Sequence, residues 1–98
     1  MTITKKLENS QLTIAPEGRL DTTTAPMLDE ELNASLSGVT ALIFDFAKLE
    51  YISSAGLRVL LGAQKTMNAQ GSMVIRNANA DIIGVFEITG FNDILTIE

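Results

Sequence analysis

The residues with the clearest chemical potential are two adjacent hydroxyls, Ser53 and Ser54, which follow Tyr51-Ile52 and precede an apolar, helix-like run. The first backbone N–H groups of a helix lack intrahelical partners and point out of its mouth. A serine hydroxyl there can accept a hydrogen bond from one of them as an ordinary cap. A phosphate on such a serine would meet several of these donors and the positive end of the helix dipole. The spacing therefore leaves two roles open, a structural cap and a modification site.

Composition argues against catalysis at these serines. The 98-residue chain has no histidine and no cysteine, so it lacks the commonest general base, the commonest metal ligand and any thiolate. No Walker-type or GxGxxG loop is present, which gives a nucleotide-binding function no support. Asp21 is explained more simply as a turn or capping residue, and Asp45 as the cap of a loop, than the two are as an acid–base pair. We expect no catalytic residue, no metal site, no cofactor and no enzymatic activity.

Charge and hydropathy limit the other classes of function. The formal net charge is −5 and the seven Lys and Arg residues form no run, which argues against direct nucleic-acid binding. No apolar stretch approaches the roughly 20 residues that cross a bilayer. The N-terminal segment 1–6 lacks the apolar core of a signal peptide. The sequence predicts a cytoplasmic protein with no membrane contact.

The elements that position the serines follow from the apolar pattern, which predicts one domain over residues 1–98. Short alternating segments predict a hairpin at the start, and Pro16-Glu17-Gly18 is expected to end its second strand. Gly71 and Gly90 are expected to end the second and third helices. The order is β-β-α-β-α-β-α-β, an α/β domain with a mixed sheet and packed helices. The predicted strands are 2–7, 11–15, 41–44, 73–75 and 95–97, and the helices begin near residues 25, 53 and 81.

Four segments resemble the STAS domain family of anti-sigma factor antagonists, in the right order and along the whole chain. The segment 51–57, Tyr-Ile-Ser-Ser-Ala-Gly-Leu, lies over a family pattern of aromatic, Ile or Met, Asp, Ser, Ser, Gly and Leu. Segment 18–21 is similar to the family's acidic loop, 42–46 to its central strand ending in Asp, and 86–91 to its last helix and turn. The chain differs at two positions, with Ser53 in place of Asp and Ala55 in place of the second Ser.

The resemblance implies a non-enzymatic bacterial regulator that switches partners. In such proteins an anti-sigma factor, which is also a GHKL-type serine kinase, is bound by the unmodified antagonist and releases its sigma factor. Phosphorylation of the serine switches binding off, and a serine phosphatase restores it. Carried over by position, the phosphoacceptor is Ser54, with Ser53 as the alternative, and Asp45 lies under the loop. The implied partner-binding residues are Asp21, Thr22, Ser53, Ser54, Ala55, Gly56 and Arg58.

One alternative keeps the same fold with a different function. Some relatives are never phosphorylated and act as constitutive interaction modules of a signalling or transport complex. Arg58 also has two roles open to it, since it lies one turn beyond Ser54 on the exposed side of the helix. It is either a contact for a partner or a phosphate, or a solvated surface arginine.

Overall fold

The computed structural model describes residues 1–98, and its strands and helices form one α/β unit around a mixed sheet. The predicted fold class is confirmed. The strands are β1 (Thr2–Glu8), β2 (Gln11–Leu20), β3 (Ala41–Asp45), β4 (Leu49–Ile52) and β5 (Ser72–Arg76). The helices are α1 (Ala25–Ser35), α2 (Ser54–Gln70) and α3 (Ala80–Thr89), followed by a 3-10 helix (Phe91–Asp93).

Strand β2 pairs with three other strands, β1, β3 and β4, so the sheet is built around it. The predicted hairpin is confirmed, since β1 and β2 are antiparallel from Thr2↔Glu17 to Glu8↔Gln11. The first half of β2 pairs in parallel with β3, and its last residues pair in parallel with β4. Because β2 and β4 are parallel and end together at Leu20 and Ile52, the segments that follow them leave the sheet at the same edge.

Pro16-Glu17-Gly18 does not end β2, so that prediction is wrong. The strand continues to Leu20, and the irregularity shows instead as a register shift between Gly18 and Arg19, where the chain pairs with β4. A bulge of this kind bends a strand without ending it. Gly18 has a φ of 95°, which few other residues adopt at low cost.

The structure adds one strand to the predicted order and shortens another. Strand β4 has Leu49 and Ile52 buried with two exposed residues between them, so it lacks the period of two that marks a half-buried strand. The predicted final strand at 95–97 is reduced to a single bridge between Ile97 and Ile75, preceded by the 3-10 helix.

The hydrophobic core lies between the helices and the sheet. Leu28 and Leu32 of α1 and Leu60 and Met67 of α2 are buried in one cluster of 22 residues, which includes Phe44 at the centre of the sheet. Each such side chain contributes about 1.5–3 kcal/mol through burial. Gly71 and Gly90 cap α2 and α3 as predicted. None of the helices is both long enough and apolar enough to span a bilayer.

Candidate functional site

The mouth of α2 is capped by Ser53. This residue has extended backbone angles, φ −100° and ψ 177°, and its Oγ accepts a hydrogen bond of 3.4 Å from the Gly56 N–H. Its own N–H donates to the carbonyl of Leu20 at 2.9 Å, which ties the start of the helix to the end of β2. Ser53 is half-buried. Its hydroxyl therefore serves as a structural cap.

Ser54 is the first residue of α2 and has the opposite environment. Its side chain is exposed, and its hydroxyl takes no part in the cap that Ser53 makes. Of the two neighbouring hydroxyls, the structure leaves that of Ser54 accessible to another molecule and engages that of Ser53 in the fold.

Gly56 is buried and allows α2 to approach the sheet. A methyl group in its place would lie 2.7 Å from Cγ of Leu20 and 2.8 Å from Cγ1 of Ile52. These are the last residues of β2 and β4, so the glycine lets the helix begin directly over the strand ends. This buried position offers a partner no side chain, and its part in the site is to let α2 begin close to the ends of the two strands.

The loop between β2 and α1 is held by Asp21, which confirms its predicted role as a turn or capping residue. Its Oδ1 accepts hydrogen bonds from the N–H groups of Thr23 at 3.0 Å and Thr24 at 3.2 Å. The bond from Thr24 is the main reason why the pKa of Asp21 lies below its usual value, and the Arg19 guanidinium adds to the effect. The ionised carboxylate thus shapes the loop and leaves Thr22 exposed beside it.

A shallow groove of about 370 Å³ lies between the starts of α1 and α2. It brings together Thr22, Ala55 and Arg58 of the predicted partner-binding set. The sequence did not single out its other lining residues, which are Ala25, Pro26, Asp29 and Val59. The parallel pairing of β2 and β4 is the signal that could have found them, because it places both helix starts at one edge of the sheet.

Arg19 and Tyr51 form a second feature that the sequence did not single out. They are register partners on β2 and β4, and the Arg19 guanidinium lies 4.2 Å from the centre of the Tyr51 ring. Tyr51 is 40% exposed, so this cation–π pair forms part of the surface that leads to the mouth of α2. The two residues are brought together by the pairing of β2 with β4, and β4 was not predicted.

Asp45 caps the loop after β3, as predicted. Its Oδ1 accepts hydrogen bonds of 3.0 Å from both the Asn77 side chain and the Ala47 N–H. These bonds, the one from Asn77 foremost, hold the pKa of Asp45 below its usual value. The carboxylate ties the end of β3 to the segment after β5 and supports the chain that leads into β4. No group of three His, Cys, Asp or Glu residues is arranged to hold a metal ion.

The chain is similar to known proteins over nearly its whole length. The family model described as the STAS domain matches residues 2–98. BtrV of Bordetella bronchiseptica, which carries the name of an anti-sigma factor antagonist, is 34% identical, with 99% of this chain and 85% of that protein covered. The anti-sigma-B factor antagonist of Bacillus subtilis is 35% identical, with 95% of this chain and 85% of that protein covered.

The fold also matches solved structures of the Bacillus protein SpoIIAA. Its unphosphorylated form, an anti-sigma factor antagonist, superposes with a TM-score of 0.78 at 18% identity, covering 99% of this chain and 87% of SpoIIAA. Its phosphorylated form gives a TM-score of 0.77 at 19% identity, covering 99% of this chain and 91% of SpoIIAA. The two forms are equally similar to this chain.

Proposed function

The chain belongs to the STAS domain family, among the anti-sigma factor antagonists, and we propose that it binds an anti-sigma factor which is also a GHKL-type serine kinase. Unmodified, it binds this partner and frees the sigma factor. Phosphorylation of Ser54 ends the binding, and a serine phosphatase restores it. This role is regulatory and takes place in the bacterial cytoplasm. The observation that carries the proposal is the exposed Ser54 hydroxyl at the mouth of α2.

Geometry supports Ser54 over Ser53 as the phosphoacceptor. A kinase needs the hydroxyl oxygen to reach the γ-phosphate of ATP in line with the leaving group. The Ser54 side chain is exposed, whereas that of Ser53 is half-buried and turned toward the Gly56 N–H. Phosphorylation of Ser53 would require the cap to open first. Ser54 is accessible without any change in the fold.

The partner-binding surface is the groove and its rim. Thr22, Ala55 and Arg58 line the groove, and Ser54 lies beside it at the start of the same helix. Asp21 acts through the loop that presents Thr22, and Gly56 acts by letting α2 begin close to the ends of β2 and β4. The apolar floor offers burial to a partner side chain, while the charged rim sets which partner is accepted.

The electrostatic effect of the modification is large enough to act as a switch. A phosphate adds about −1.5 to −2 charges at pH 7. Burying that dianion unpaired in an interface is costly, and a loss of only about 2.7 kcal/mol weakens binding a hundredfold. Both the unphosphorylated and the phosphorylated structure of SpoIIAA have the fold of this chain, which supports a switch that keeps the fold.

A second candidate function is a constitutive interaction module with the same surface and no phosphorylation. The observation that favours it is Ser53, which stands where the family pattern has an acidic residue before the acceptor. Ser53 retains the capping role through its hydroxyl but offers a kinase no negative charge. A kinase that recognises that charge would act poorly on this chain.

A kinase assay separates the two candidates. The protein, Ser53→Ala and Ser54→Ala are each incubated with ATP and the anti-sigma factor kinase encoded in the same genome, and intact mass and fragment spectra locate the phosphate. The proposal predicts one phosphate on the wild type and on Ser53→Ala, and none on Ser54→Ala. Equal phosphorylation of Ser54→Ala would remove Ser54 as the acceptor. No phosphate on any form, together with binding to the same kinase in a separate calorimetric titration, would establish the constitutive module.

A further inference from the structure

The outer side of α2 carries a line of residues that begins at the candidate phosphoacceptor. Ser54, Arg58, Leu61 and Lys65 are spaced by four, three and four positions, so they lie above one another on one side of the helix. Ser54, Arg58 and Lys65 are exposed and Leu61 is half-buried. This set, here called the outer stripe, extends for about 16 Å along the helix axis.

The outer stripe is positively charged on a negatively charged protein. Of the seven Lys and Arg residues, five have a carboxylate within 4.0 Å, and Arg58 and Lys65 are the two that do not. Helix α2 contains no Asp or Glu at all. The net charge of the chain is −5, so the two free cations stand out from a surface of the opposite sign. Their charge is available to a partner.

Gly62 adds an independent observation next to the outer stripe. It is exposed in the interior of α2, and a methyl group in its place would have no other atom within 4 Å. Glycine inside a helix is less favourable than alanine, because it loses more backbone freedom on folding. No contact within the chain requires this cost, in contrast to Gly56, where a methyl group would overlap Leu20. The absence of a side chain at this position leaves room for a partner to approach the backbone of α2 closely.

We propose that the outer stripe is a docking surface for an acidic segment of the anti-sigma factor, which packs against Leu61 and approaches the helix backbone at Gly62. The inference rests on the proposed function and extends its interface along α2. Arg58 lines both the groove and the outer stripe, so the two surfaces are continuous. The stripe carries a charge of +2, and a phosphate on Ser54 reduces it to between about 0 and +0.5. The modification thus removes the charge that attracts the partner.

A charge-reversal experiment tests the electrostatic part. Arg58→Glu/Lys65→Glu is compared with Lys6→Glu/Lys48→Glu, a control with the same net charge whose altered residues are exposed and lie outside α2. Affinity for the unphosphorylated anti-sigma factor kinase from the same genome is measured by calorimetry at 50 and 300 mM NaCl. The stripe variant is expected to bind about 10–100-fold more weakly at low salt, with a smaller difference at high salt. The control is expected to change affinity by less than about threefold.

Gly62→Ala tests the close approach. The variant is expected to raise the thermal unfolding midpoint, because alanine is the better helix former, and to weaken binding by at least about fivefold. Opposite effects on stability and binding would not arise from a structural defect. The inference is overturned if the stripe variant binds like the control, or if Gly62→Ala binds like the wild type. In both cases wild-type binding would still uphold the proposed function, whereas failure of the wild type to bind would overturn both.

Discussion

Substitution of Gly56 by alanine tests the close approach of α2 to the ends of β2 and β4, which positions Ser54 at the surface. The added methyl group would lie 2.7 Å from Cγ of Leu20, 2.8 Å from Cγ1 of Ile52 and 3.0 Å from Cδ2 of Leu20. Carbon atoms in contact normally lie about 3.5–4.0 Å apart, so the neighbours or the helix must move by up to about 1 Å. Leu20 and Ile52 are 0% and 2% exposed, which leaves them little room to move.

The size of the effect follows from two opposing contributions. Overpacking in a core costs about 1–3 kcal/mol, and replacing a helical glycine by alanine returns up to about 1 kcal/mol. With the full helix-propensity gain, we expect Gly56→Ala to lower the free energy of unfolding by up to about 2 kcal/mol, and to be about 1–3 kcal/mol less stable than Gly62→Ala, which makes the same gain without overpacking. For a chain of this length, each kcal/mol corresponds to a fall of about 4–8 °C in the midpoint of thermal unfolding.

Urea and thermal unfolding followed by circular dichroism provide the measurement. Gly62→Ala is the matched control, since it makes the same substitution in the same helix where no neighbour lies within 4 Å. It is expected to be as stable as the wild type or up to about 1 kcal/mol more stable. A Gly56→Ala protein as stable as Gly62→Ala would refute the close approach of α2 to the ends of β2 and β4.

Two further predictions concern stability. Ser53→Ala removes the cap and is expected to lower the free energy of unfolding by about 0.5–1 kcal/mol. Ser54→Ala is expected to leave the free energy of unfolding unchanged or slightly raised. Equal losses for the two variants in urea unfolding would contradict the assignment of Ser53 as the cap. The hydrogen bond from Asn77 lowers the pKa of Asp45 in the folded protein. The ionised Asp45 carboxylate therefore stabilises the fold at pH values above the unfolded pKa of about 3.9. This stabilisation is lost as the pH falls through the folded pKa. Asp45→Asn is therefore expected to show a shallower loss of stability between about pH 5 and 2, measured by urea unfolding, and an unchanged slope would exclude the contribution.

Local signals predicted the parts of the structure that depend on neighbouring residues in the chain. The cap at the helix mouth, the apolar run that follows it and the stop at Gly71 all belong to one helix, and the structure contains each of them, with Ser53 as the cap. The predicted strand at 41–44 is confirmed as β3, because residues 41–44 are all apolar, as in a strand covered on both faces. Hydrogen-bonding capacity also indicated the caps at Asp21 and Asp45.

Features that depend on pairing between distant segments could not be predicted in the same way. Strand β4 is short and has no alternation, so it is defined by its pairing with β2 and by little else. The groove and the Arg19–Tyr51 pair follow from that pairing, which is why neither was predicted. Pro16 was misinterpreted because proline usually ends a strand, whereas here β2 continues past it to the bulge at Gly18.

Residue types and spacing alone could not decide which of the two serines caps the helix. Both hydroxyls lie at the predicted helix mouth, and the choice between cap and acceptor depends on where α2 begins to within one residue. The structure starts the helix at Ser54, so Ser53 takes the capping position and its Oγ bonds to the Gly56 N–H. One residue of difference in the helix start would exchange the two roles.

The most direct test of the switch measures affinity before and after a single modification. Phosphoserine is installed at position 54 by genetic recoding, and binding of the anti-sigma factor kinase from the same genome is measured by calorimetry against the unmodified protein. We predict that the unmodified chain binds and that the phosphorylated chain binds at least about a hundredfold more weakly, which corresponds to about 2.7 kcal/mol. Affinities within a factor of two of each other would contradict it.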